Sequence, residues 1–365
     1  MNEKLQISIK SGKAYAHSLT EVVMTPNGDS IRSRYLYGPQ LDALRQTLWP
    51  TNGQGWFGSN FGKSVNLLHF SDLHGDAINL AKIVAMQSIA PKPLDVLFTG
   101  DMLNYDWSSD SAFWDTAGAG PFMVAIGNHD SFKNGDWYGA TAAECYTRFI
   151  SPFVSTWGVT SQANLCYYYK DWETKNVRLI VLDVMHWDTA QENWLVATLS
   201  SARVAGYHVV VAGHCVGGNT DSGTKSCPFD TIGANRSLWE SESYGKMNPA
   251  VSASVQDFVD AGGHFVCYLC GHTHADLFRH LADYPAQLCV AVGDSGINAH
   301  VGSNAISQLE RVVGEKSEEL YNLVSINAIR QIITIIRVGA DHDTIGRHIG
   351  SVVYDYVNHQ ILWND

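Results

Sequence analysis

The sequence has no apolar run of the roughly 20 residues needed to cross a membrane as a helix. No apolar segment follows the charges of Met1 to Gln6, so a cleaved secretory signal is not expected and a cytoplasmic location is. Basic residues are scarce: 24 Lys and Arg stand against 36 Asp and Glu, a net charge of −12. That balance argues against a general polyanion-binding surface, and nucleic acid is not an expected partner. Cysteine is too sparse for a disulfide scaffold; the seven thiols are odd in number and irregularly spaced, as reduced, buried thiols would be. Cys267 and Cys270 have Cys-x-x-Cys spacing, but they lie in His264–Cys270, which reads as a strand. A separation of three on a strand puts their side chains on opposite faces, which argues against a zinc or redox pair. There is no internal repeat. Aromatic residues at 11% and hydrophobic residues at 45% exclude a disordered chain.

What the chain does have is a recurring pattern: a short apolar run that stops abruptly at a cluster of Asp, His, Asn and Gly. Leu67–Phe70 runs into Ser71–Asp76, and Leu94–Thr99 into Gly100-Asp101. Phe122–Ile126 runs into Gly127–Asp130, Tyr207–Ala212 into Gly213-His214, and His264–Cys270 into Gly271–His274. Such runs are buried strands. Between them, Ala77–Ala90, Gln191–Leu199 and Val251–Val259 carry apolar residues near helical spacing. Alternating strands and helices predict an α/β layered fold. Ligands in such folds bind beyond the carboxyl ends of the strands, where all five clusters sit. Loops there converge in space although they are distant in sequence.

The 365 residues are expected to divide into an N-terminal extension (1–60), a central α/β domain (61–320) and a β-rich C-terminal extension (321–365) that extends a sheet or forms a cap. A Gly-, Ser- and Asn-rich insertion covers about 215–250.

Five of the 15 histidines fall in the strand-end clusters, together with Asp and Asn side chains. Carboxylate plus imidazole is the ligand mixture of Zn, Mn or Fe. The expected ligands are Asp72, His74, Asp101, Asn128, His214, His272 and His274. Asp72 and His74 are one residue apart, so an extended backbone would point both to one face, and His272 and His274 repeat that spacing.

The ordered set Asp72-Leu73-His74, Gly100-Asp101, Gly127-Asn128-His129-Asp130, Gly213-His214 and Gly271-His272-Thr273-His274 resembles the calcineurin-like metallophosphoesterase superfamily. Gln191-Glu192-Asn193-Trp194-Leu195 is similar to a Gln-x-x-Trp-Leu helix common there. The resemblance spans about 200 residues and implies a four-layer αββα sandwich with β-rich N- and C-terminal additions. It implies Asp72, His74 and His274 on one metal, Asn128, His214 and His272 on a second, and Asp101 bridging both. The implied cofactors are two divalent or mixed-valence transition metal ions: Mn, Zn or Fe/Zn. The implied reaction is hydrolysis of a small-molecule phosphate mono- or diester by a metal-activated hydroxide. His129 would face the leaving-group oxygen as general acid or transition-state donor. Asp130 would be the second catalytic residue by orienting it, or else a capping or surface residue. Metal charge would also let the acidic chain accept a nucleotide.

Two positions depart from the family pattern. Asn104 stands three residues after Asp101, where purple acid phosphatases carry a ferric-ligating Tyr, so a purple iron–tyrosinate site is not expected. Cys215 follows His214 where Pro is frequent. Asp76 is expected to cap the following helix, and Asp294 and His186 to be structural. The alternative to an enzyme is a phage-associated or structural/binding protein that kept the fold; Ile332–Gly346 resembles C-terminal parts of phage-associated proteins.

Overall fold

The computed structural model describes residues 9–10, 13–14, 63–76, 79–80, 95–104, 107, 122–136, 139–216, 249–272, 277–281, 284–293, 295–296, 320–339 and 352–364. Near the N-terminus, β1 (Ile9–Lys10) pairs with β2 (Lys13–Ala14), and among the described residues neither joins another strand. The remaining strands are β3 (Val65–Phe70), β4 (Asp95–Phe98), β5 (Phe122–Val124), β6 (Thr160–Ser161), β7 (Tyr168–Trp172), β8 (Val177–Val181) and β9 (His208–Ala212). They continue with β10 (His264–Cys270), β11 (Leu277–His280), β12 (Leu288–Ala291), β13 (Leu320–Asn327), β14 (Ile332–Gly339), β15 (Val352–Asp355) and β16 (Gln360–Asn364). The α-helices given bounds among the described residues are α1 (Ala142–Cys145), α2 (Val154–Trp157), α3 (Thr189–Ala205) and α4 (Pro249–Asp260).

These strands form two seven-stranded sheets, ordered β16-β15-β14-β13-β3-β4-β5 and β11-β12-β10-β9-β8-β7-β6. In the first, β3, β4 and β5 are parallel. In the second, β8, β9, β10 and β12 are parallel. Both parallel blocks are buried on both faces, which is why they read as unbroken apolar runs. Leu179, Val181, Val210, Ala212, Cys267 and Leu269 of the second sheet share one core with Leu67, Leu323 and Ile335 of the first. Ile180, Val209, Val211, Tyr268 and Cys270 face the other way, against Leu195 and Leu199 of α3 and Val255 of α4. Cys267 and Cys270 therefore lie on opposite faces, as the strand spacing predicts. Each Leu buried this way contributes about 1.5–3 kcal/mol.

The helix predicted over Gln191–Leu199 is the middle of α3. Asp188 caps its start by accepting from Gln191 N, and Gly206, at φ 76°, ends it. The helix predicted over Val251–Val259 is α4. Of Ala77–Ala90, only Asn79 and Leu80 are described, and they are helical. Asp76 Oδ1 accepts from Asn79 N at 3.1 Å, the expected cap. The C-terminal strands extend the first sheet: β13 pairs antiparallel with β3, and β14, β15 and β16 follow in turn.

Candidate metal centre

All the loops that carry the described site residues leave the carboxyl ends of parallel strands: β3, β4, β5, β9 and β10. Backbone bonds lace them together. Asp72 N donates to Gly100 O at 3.0 Å, His74 N to Asp101 O at 3.1 Å, and Gly271 N to His214 O at 3.0 Å. Ser295 N and Gly296 N reach back to Ser71 O and Asp72 O, so the segment after β12 also braces the first loop.

The expected extended geometry of the Asp-x-His pair is not what brings Asp72 and His74 together. Both follow the end of β3 and adopt left-handed backbone, with φ 52° and 46°. Asp101 (φ 59°) and His272 (φ 70°) do the same. Non-glycine residues avoid this region, at a cost of order 1–3 kcal/mol each, and it persists where surrounding contacts over-determine it. The physical reason is the tight reversal after each strand, which must turn a side chain into the crevice within two to four residues.

Asp101 lies at the middle and is 1% exposed. Its Oδ1 accepts from His129 N at 2.8 Å. Its Oδ2 lies 3.1 Å from His214 Nε2 and 3.9 Å from His129 Nε2, and no hydrogen bond among the described residues is directed at it. Two ligand-like groups share this residue: His74, Asp101 and His129, and Asp101, His214 and His272. Within each group the candidate donor atoms all lie within 4.8 Å of one another. His214 Nδ1 donates to Thr99 O at 2.8 Å, which leaves Nε2 facing the crevice. Around that Nε2, at 3.1 Å each, stand Asn128 Oδ1, His272 Nδ1 and Asp101 Oδ2. So many lone pairs converging on one buried point fit a cation between them. Asp72 Oδ2 accepts from His272 N at 3.0 Å, joining the loops after β3 and β10.

Electrostatics agree with that fit. Burial works against charge on Asp101, yet His214 and His129 beside it hold its carboxyl well below the usual range. Burial likewise lowers His214, but Asp101 outweighs it and carries the imidazole up to about 9. The pocket around Asp101 thus favours positive charge.

His129 is buried, and its Nδ1 donates to the backbone carbonyl of Asn104. Its ring meets His74 edge-on at 4.4 Å. Asp130 is fully buried, which excludes a surface position, and the Asn104 carbonyl is a partner of the His129 ring. Asp130 Oδ2 accepts from Asp101 N at 2.9 Å and Gly127 N at 3.0 Å; Oδ1 accepts from Met102 N at 2.9 Å and Leu103 N at 3.1 Å. The carboxylate is thus an internal strut under two loops. Burial and the Asp101 charge push it up to about 7 despite those bonds.

The structure brings together Asp72, His74, Asp101, Asn128, His129, His214 and His272. His274 and Asp294 lie outside the described residues, as does 217–248 of the insertion. His186 is structural, as expected: Nδ1 bonds Asp183 Oδ2 at 2.9 Å and Nε2 bonds Ala140 O at 2.8 Å. The contacts of Thr99 and Asn104 with the imidazoles were not expected from the sequence, because they are made by backbone carbonyls, which no side-chain pattern reports.

Two overlapping donor groups at the carboxyl ends of two facing sheets are the arrangement of a hydrolase with a metal centre. The model of the calcineurin-like phosphoesterase family matches residues 65–276, more than half of the chain, and the chain belongs to that family. The protein is a phosphoester hydrolase, and its family implies a centre of two divalent metal ions. No curated protein sequence matches the chain. Among solved structures it is similar to a dimetal phosphatase from Danio rerio, with a TM-score of 0.47 and 12% identity over 80% of this chain and 99% of that one. It is also similar to a predicted phosphoesterase from Streptococcus pneumoniae, with a TM-score of 0.33 and 12% identity over 80% of this chain and 97% of that one.

Proposed function

We propose that the protein hydrolyses a small-molecule phosphate mono- or diester, with one metal held by Asp72, His74 and His274 and a second by Asn128, His214 and His272. Asp101 is the shared ligand. The observation that carries this reading is that Asp101 lies with His74 and His129 in one donor group and with His214 and His272 in the other, and keeps a buried carboxylate oxygen free of hydrogen bonds among the described residues. A carboxylate can bridge two cations, whereas a neutral imidazole binds one. The donor set of carboxylate, imidazole and amide oxygen suits Mn, Zn or an Fe/Zn pair. Two such cations would neutralise phosphoryl oxygens and acidify water.

The chain's own groups do the rest. Asn104 O keeps a proton on His129 Nδ1 and aims Nε2 into the crevice. From there His129 gives a proton or a hydrogen bond to the leaving-group oxygen. Thr99 O does the same orienting work for His214. Asp130 fixes the loops carrying Asp101 and His129 and acts as a positioning residue.

Metal analysis and an activity screen test the reading. Purified protein should carry about two transition-metal ions and release phosphate or alcohol from mono- or diester substrates. Asp101→Asn should lose metal and activity together, and His129→Ala should keep metal while losing turnover. Fully metallated protein that is inert to a broad panel of phosphate esters would refute the proposal.

A further inference from the structure

One polar side chain interrupts the core beneath the metal centre. On the face of β3 that carries Val65 and Leu67, the next residue is His69, and it is fully buried. Its register neighbours are Leu97 on β4 and Asn322 on β13, both buried, so the C-terminal strands close over this position. A buried imidazole is costly in such a place unless it is hydrogen-bonded. The bond it makes leads to the site: Nε2 lies 3.0 Å from the hydroxyl of Thr99, the residue whose carbonyl holds His214.

Thr99 follows the last residue of β4, where Gly100 (φ 101°) and Asp101 (φ 59°) turn the chain into the crevice. Three bonds fasten it to β3 before that turn. Its N donates to Phe70 O at 3.0 Å, and its hydroxyl donates to the same carbonyl at 3.4 Å. The hydroxyl oxygen is then left to accept from His69 Nε2–H. Beyond these anchors the Thr99 carbonyl accepts from His214 Nδ1 at 2.8 Å. The imidazole also lies against the next residue, since a Cβ on Gly100 would stand 2.5 Å from that Nδ1. The Thr99–Gly100 peptide is therefore the seat of the His214 ring, and a tilt of the peptide tilts the ring.

We infer that His69 is a positioning residue of the metal centre: through the Thr99 hydroxyl it fixes the peptide that seats His214, and so aims His214 Nε2 at its metal. This rests on the proposed role of His214 as a metal ligand. Partners behind a ligating imidazole set its orientation and with it the affinity of the metal.

The test titrates Co(II) into full-length protein stripped of metal, following visible absorption and the number of ions bound. Wild type should take up two ions. His69→Phe should weaken one of the two binding steps about 10-fold and alter its spectrum, leaving the other step unchanged. His69→Gln, which keeps an N–H donor at a similar reach, should restore most of the affinity. Thr99→Val should reproduce the loss, Thr99→Ser should not, and the His69→Phe/Thr99→Val double variant should be no worse than either alone. The melting temperature of the metal-free proteins shows whether each folds; should His69→Phe fail to fold, the Thr99→Val and Thr99→Ser pair decides. Wild-type Co(II) binding in His69→Phe or in Thr99→Val would overturn the inference and leave the hydrolase reading intact. Equal weakening of both steps that His69→Gln and Thr99→Ser fail to restore would overturn it too, as the mark of a merely structural role. Wild type that binds fewer than two ions would sink the two-metal reading and this inference with it.

Discussion

Replacing Asp130 by Asn tests how the centre is held. The carboxylate accepts four backbone N–H groups, from Asp101, Met102, Leu103 and Gly127. Asn keeps one oxygen and presents an NH2 group on the other side. Whichever way the amide turns, donor faces donor, so two of the four bonds are lost. Bonds to a charged acceptor contribute about 1.5–3 kcal/mol each, so above about pH 7, where the carboxylate is ionised, the loss is about 3–6 kcal/mol. At roughly 2–4 °C per kcal/mol, the melting temperature should fall by about 6–24 °C. Because three of the N–H groups belong to the Asp101 loop and one to the loop carrying His129, metal content and activity should fall with it. Calorimetry and metal analysis on the same preparation provide the assay. Asp130→Asn with wild-type melting and full metal would refute the strut argument. Normal melting and metal with lost turnover would instead make Asp130 a participant in the chemistry.

Three further outcomes follow from the geometry. Gly127→Ala would drive a Cβ into overlap with Asp101 Oδ1 and Asp101 N, so the loop must move; activity and metal should be lost, and retained metal stoichiometry would contradict the close approach. His208, at the start of β9, is pulled down to about 4 by burial and by His264, with Tyr356 bonded to its Nδ1 at 2.7 Å. Its folded value lies below its unfolded value near 6.5, so the unfolded chain binds the extra proton and stability is lost as pH falls from about 6.5 through about 4. Discounted for partial exposure, that is about 1–2 kcal/mol, and His208→Gln should flatten this part of the pH–stability curve; an identical curve would count against it. Cys267→Ala should leave metal content unchanged, since its thiol points into the core away from Cys270; lost metal would contradict that placement.

The strands, the order of their polar clusters and the chemistry of the donors are legible in the chain before it folds. Each apolar run ending in Asp, His or Asn marks a buried parallel strand with a ligand at its carboxyl end, because burial on both faces demands unbroken apolar residues and function needs polar ones just beyond. How those donors meet depends on the packing in three dimensions. The left-handed turns at Asp72, His74, Asp101 and His272 replace the extended spacing expected from Asp-x-His. Backbone carbonyls at Thr99 and Asn104 choose the imidazole faces, and every residue type has such a carbonyl. Asp130 reads as a catalytic neighbour of His129 in the chain, yet its carboxylate turns to the backbone of two loops, because those buried N–H groups have a stronger claim on an acceptor than solvent does.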